Sequence, residues 1–175
     1  MIAGIIGFTY TFVNALPAAE VPAPTTTIAG GTTTTAATAT TTTTLPPANA
    51  ALVAAADGFS TRAGELVVTA QQLNDEWDER VIEFADIRDG LTELRSTTGS
   101  LVDEVSELEV PDEATEAWGD VVTAAEALTA AADEMFDGLV NSEGSERRLN
   151  ALDAYKAAEV SLQDALTLAV AATQG

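Results

Sequence analysis

The sequence predicts an all-α protein, an antiparallel helical bundle after a disordered linker. The bundle has four helices, or three with one of them long and kinked. Three observations lead there. Beyond residue 50, apolar residues recur every three or four positions. Ala, Glu, Leu and Asp dominate that region, rather than the β-branched and aromatic residues that favour strands. Nowhere in it do apolar and polar residues alternate with period two.

The chain divides by composition. Of its 175 residues, 28 are Asp or Glu and seven are Lys or Arg, yet the first 49 carry a single charged side chain, Glu20. The domain plan is therefore a signal peptide or short anchor over residues 1–19, a Thr/Pro-rich stalk over 20–49 and an acidic bundle over 50–175. Ile2 to Leu16 is apolar and uncharged and stops at Pro17. A membrane span needs roughly 17–25 apolar residues and a secretory core about 7–15, so this length favours a secretory signal or a short, tilted anchor. Val13-Asn14-Ala15 offers a cleavage site after Ala15, although only the α-amino group supplies positive charge ahead of it. Residues 25–44 hold 13 Thr, with Pro17, Pro22, Pro24, Pro46 and Pro47 on either side. Such a tract has almost nothing to bury, so the entropy lost on ordering it is not recovered and it reads as an extended tether.

Within the bundle the clearest stripe is Ala114, Trp118, Val121, Ala125, Leu128, Ala132, Met135 and Leu139, stepping 4, 3, 4, 3, 4, 3, 4. Pro111 suits a helix start, as do Asp112, Glu113 and Glu116, and Gly138 weakens the far end. Asn141-Ser142-Glu143-Gly144 reads as a turn, with a further helix capped by Ser145 and buried through Leu149, Leu152, Tyr155, Leu162, Ala165, Leu166 and Ala169. Upstream of Pro111 the stripe Leu66, Ala70, Leu73, Trp77, Phe84, Ile87, Leu91, Leu94, Leu101, Val105, Leu108 is interrupted at Arg80 and Thr98. At 1.5 Å per residue this would be a helix of about 65 Å, far longer than its partner, so a reversal is expected. Asn74-Asp75, Asp89-Gly90 and Thr97–Ser100 are the candidate positions.

The chemistry the chain can perform is narrow. It has no His and no Cys, hence no imidazole base, thiolate nucleophile, disulfide or thiolate metal site. A net charge of −21 repels phosphate backbones, which argues against nucleic acid as a partner. No phosphate-binding loop, dinucleotide fingerprint or nucleophile elbow occurs. The sequence presents no candidate catalytic, cofactor-binding or metal-ligating residue, no cofactor is implied, and an enzyme is not expected. The most unusual local feature is the base-free acidic run Asp103, Glu104, Glu107, Glu109, Asp112, Glu113, Glu116. It reads as a solvated face, or as a place for a cation or a basic partner. The bases read as helix pairs: Glu76 with Arg80, Glu143 with Arg147, and Lys156 with Asp153 or Glu159.

The layout resembles envelope proteins of high-GC Gram-positive bacteria, which join a membrane-targeting segment, a Thr/Pro stalk (here Thr40 to Pro47) and an acidic, Ala-rich helical domain. The step Leu108-Glu109-Val110-Pro111 into a helix bearing Trp118 is similar to their inter-helix turn. The resemblance implies a surface or secreted module whose partner is an envelope protein or polymer. The membrane would be met only through the N-terminal segment. A cation-responsive module is the alternative, and a ligand-sensing bundle ranks below it because residues 50–175 hold no second span. Oligomeric state is not readable from the sequence.

Overall fold

The computed structural model describes residues 46–141 and 145–174. The leader expected over residues 1–19, the stalk expected over 20–49 as far as residue 45, and residues 142–144 of the turn expected over 141–144 lie outside them; the last three residues of the expected stalk belong to α1. The described residues form four helices and no strand: α1 (Pro47–Asp78), α2 (Phe84–Glu107), α3 (Thr115–Val140) and α4 (Ser145–Ala172), with one 3₁₀ turn, Asp112–Ala114, leading into α3. The expected all-α bundle is therefore the fold, in its four-helix form.

The local sequence explains each start. Pro46 precedes α1 and Pro47 occupies its first turn, where a missing N–H removes no hydrogen bond. That start lies three residues ahead of the composition break at residue 50. α2 begins after Glu83, whose N–H donates to Asp86 Oδ2 (3.1 Å). Pro111 ends the α2–α3 link, and its carbonyl accepts from the Ala114 N–H (2.9 Å) to close the 3₁₀ turn. The α3 helix therefore starts four residues later than Pro111. Ser145 is the first residue of α4 rather than its cap.

The reversal between α1 and α2 falls at residues 79–83, at none of the three candidate positions. Asn74-Asp75 lies inside α1, and Asp89-Gly90 and Thr97–Ser100 lie inside α2. No Gly or Pro marks the turn. Arg80 adopts φ 59° instead, while its N–H donates to the Trp77 carbonyl (3.1 Å) and the Val81 N–H reaches back to Glu76 (2.8 Å). This is the hydrogen-bond pattern of a helix end closed by a left-handed residue, a place where glycine is usual.

Consecutive helices run antiparallel, and α4 closes the square against α1. Asn49, Ser60 and Asn74 of α1 bond to Thr173, Gln163 and Arg148, fixing that antiparallel register. The tightest seam is α3–α4. Small buried residues recur every seven positions on both helices: Ala124, Ala131 and Gly138 against Ala151, Ala158 and Ala165. A Cβ at Gly138 would lie 2.9 Å from the Arg148 backbone nitrogen, so this glycine sets the approach of the two helices and does not merely weaken an end. Every residue of the α3 stripe from Ala114 to Met135 is buried, and Leu139 is half-buried. Leu149, placed on the inner face by the pattern, is 39% exposed.

Side chains bridge the diagonals. Phe59 of α1 meets Trp118 of α3, with ring centroids 6.3 Å apart. Thr98 of α2 and Tyr155 of α4 share a 2.8 Å hydroxyl–hydroxyl bond between two fully buried residues. Trp118 Nε1 donates to the Val105 carbonyl (3.0 Å), satisfying one of the acceptors left open in the last turn of α2.

Candidate interaction surface

The bundle has two unlike ends. At one, α1 begins, α4 finishes and the α2–α3 link crosses between them. The acidic run 103–116 gathers there because it spans the last turns of α2, the link and the first turn of α3. All seven of its carboxylates are exposed. Two are engaged. Arg62 grips Glu104 through both nitrogens (2.5 and 3.0 Å), and this hydrogen bond, more than the bare charge, holds the Glu104 carboxyl below its ordinary range. Asn49 Nδ2 donates to Glu113 Oε1 (3.1 Å) while also reaching the Thr173 carbonyl (2.9 Å), which clasps the start of α1 to the end of α4. Among the described residues, no three carboxylates converge as metal ligands do.

At the opposite end lie the 79–83 reversal, the end of α3 and the start of α4. Four large apolar side chains are exposed in this region: Val81 (67%), Phe84 (47%), Val140 (43%) and Leu149 (39%). Trp77 packs edge-on to Phe84, with centroids 6.2 Å apart. Beneath them Arg148 is 2% exposed and donates to Asn74 Oδ1 and to Asp78 Oδ1, the latter at 2.5 Å. An arginine this deeply buried is retained only with partners, because an unpaired guanidinium would lose its hydration without recompense.

The expected helix pairs of Arg80 and Lys156 are not formed among the described residues. Arg80 and Lys156 lie within ion-pair distance of no carboxylate among the described residues, and Glu76 accepts from Gln72 instead (2.7 Å). Glu143 is outside the described residues. Arg147 reaches across to α3, to Glu134 at 2.7 Å and Asp137 at 3.7 Å. Arg95 pairs with Asp133 (2.6 Å) and stacks over Phe136, 4.7 Å from its centroid. The ion pairs thus tie helices together more than they decorate single helices.

Along the outer side of the α3–α4 seam runs an open cleft of about 720 Å³ floored by alanines, including Ala127, Ala130 and Ala154, with Glu134 and Arg147 at one end. It is a consequence of the small residues that bring the two helices together. The buried polar residues Asn49, Asn74, Arg148 and Tyr155 are not singled out as polar contacts by the sequence pattern. The usable signal was a polar residue at a stripe position, which Thr98 did present. No described helix is long and apolar enough to cross a membrane. Comparison with protein-family models, with curated proteins and with solved structures finds no match.

Proposed function

We propose that this chain is a non-enzymatic, secreted or surface-tethered helical module that serves an interaction or structural role in a cell envelope. The observation that carries this reading is the composition break at residue 50. Ahead of it lie an apolar leader and a Thr/Pro tract with one charge between them; behind it lies a folded bundle holding 27 of the 28 acids. An uncharged leader followed by a Thr/Pro tract is the composition of an exported, tethered domain. Two facts support presentation of a surface over chemistry. Asn49, Asn74, Thr98, Arg148 and Tyr155 commit their buried polar groups to bonds across the bundle, and the two ends differ in that one gathers the acidic run and the other exposes Val81, Phe84, Val140 and Leu149 among carboxylates. The expected partner is an envelope protein or polymer that tolerates a strongly acidic surface. Fractionation of cells expressing the untagged chain tests the reading. Recovery in the envelope or the medium is expected, and recovery wholly in the cytosol would end it.

The acidic run supports a second reading, a module that responds to divalent cations. Its carboxylates are all exposed at one bundle end. On this reading micromolar Ca²⁺ raises the melting temperature well beyond NaCl of the same ionic strength, whereas equal effects leave only general screening.

A further inference from the structure

Four of the five buried polar residues, Asn49, Asn74, Arg148 and Thr173, sit on the α1–α4 seam, whereas the α3–α4 seam is lined by alanine, glycine and larger apolar groups. α1 also buries little for its length: six apolar residues in 32, against five in the 24 of α2, eight in the 26 of α3 and eight in the 28 of α4. With a polar seam against α4 and a single turn joining it to α2, it can leave the other three as a unit.

The turn that holds α1 in place is closed by the Glu83–Asp86 capping box but has no glycine at its left-handed position. Residues 79–83 (Glu-Arg-Val-Ile-Glu) contain no Gly and no Pro, and Arg80 sits at φ 59°, a conformation that a side chain with a Cβ adopts at a penalty. The heptad spacing carries across it, with Arg80 in the slot an apolar residue would fill. From Leu52 through Ala56, Phe59, Ala63, Leu66, Ala70, Leu73 and Trp77 to Phe84, Ile87, Leu91 and Leu94, every position is in step with one heptad register. The spacing across the turn is therefore compatible with a continuous helix, and straightening it would relieve the backbone of Arg80 while giving up the Glu83–Asp86 capping box.

We propose that a second copy of this chain is a partner: residues 79–83 extend into helix, α1 and α2 become one rod, and α1 of each copy packs on α2 and α4 of the other. The site vacated by α1 fits α1 by construction, so the exchanged dimer remakes the Ser60–Gln163, Asn49–Thr173 and Arg148–Asn74 contacts between chains. Each copy carries a net charge of −21, so salt, by screening the repulsion, favours the dimer.

The chain contains no Cys, which makes cross-linking unambiguous. One full-length chain carrying only Ser60→Cys is mixed with another carrying only Gln163→Cys, unfolded and refolded together at millimolar concentration in 1 M NaCl, then oxidised. A disulfide-linked heterodimer is expected, because those two side chains touch across the α1–α4 seam. The doubly substituted chain, refolded dilute, links within itself and shows that the geometry permits the bond. In the otherwise native chain, Arg80→Gly is expected to lower the dimer fraction at a given concentration about tenfold, since glycine removes the strain that favours straightening. Internal linkage in the double variant with no mixed disulfide would overturn the proposal, as would a dimer fraction indifferent to Arg80→Gly.

Discussion

Thr98 and Tyr155 place two hydroxyls where the surrounding bundle is apolar: Thr98 Oγ1 donates to the Leu94 carbonyl (2.8 Å) and accepts from the Tyr155 phenol (2.8 Å). Thr98→Val leaves the phenol buried without that partner and should destabilise the bundle by about 1–3 kcal/mol. Adding Tyr155→Phe removes the orphaned group, so the double variant should lose less than the sum of the singles, as read from urea unfolding. The same burial governs the high-pH behaviour. Desolvation pushes the Tyr155 phenol up from 10.0 to about 12, against a smaller opposing effect of its bond to Thr98. The folded state therefore holds that proton more tightly than the unfolded state does. The associated stability, about 2–3 kcal/mol at most, is fully present below pH 10 and is lost as pH rises from 10 towards 12. Tyr155→Phe should flatten the stability–pH curve in that window alone.

Gly138 shows how one missing Cβ sets the geometry of two helices. The backbone of Arg148 occupies the space a methyl would need, at 2.9 Å from its nitrogen and 3.2 Å from its Cα, and backbone cannot swing aside as a side chain can. Gly138→Ala should force α3 and α4 apart near Arg148 and destabilise by about 1–3 kcal/mol despite the better helix propensity of alanine. Thermal unfolding measures the loss, and hydrogen exchange in the first turns of α4 locates it. The α3 stripe was legible because its apolar positions keep strict heptad spacing and all but the last are buried. The α1–α2 reversal was hidden because its left-handed residue is an arginine, while the Gly and Asn pairs nearby, at 89–90 and 74–75, lie within helices. Both interruptions of the stripe proved informative, in different ways: Arg80 is the turn and Thr98 is a core hydrogen bond. Gly138 was misread because propensity argues only about the helix that contains a residue, not about the helix packed against it. The acidic run was visible as a run, but its division into a carboxylate held by Arg62, another held by Asn49 and the exposed remainder depends on residues more than 40 positions away.

At the scale of the molecule, charge is the dominant collective property. Twenty-eight acids against seven bases repel one another in the compact state more than in the expanded chain. Raising NaCl from about 0.05 to 1 M should therefore increase the melting temperature, the reverse of what a fold held by its ion pairs would show, since screening weakens those too. Differential scanning calorimetry across that range decides which effect wins. The asymmetry of the two ends has a separate geometric basis. Pro46 and Thr173 lie at the same end, held there by the bonds of Asn49 to the Thr173 carbonyl and to Glu113. Because the first and last helices meet there, a short peptide could join them and new termini could be opened at residues 79–83 without crossing the core. Such a circular permutant would keep all four rods in their present neighbourhood while cutting the covalent link between α1 and α2, and a cargo fused at the new opening would ride at the pole opposite the acidic run.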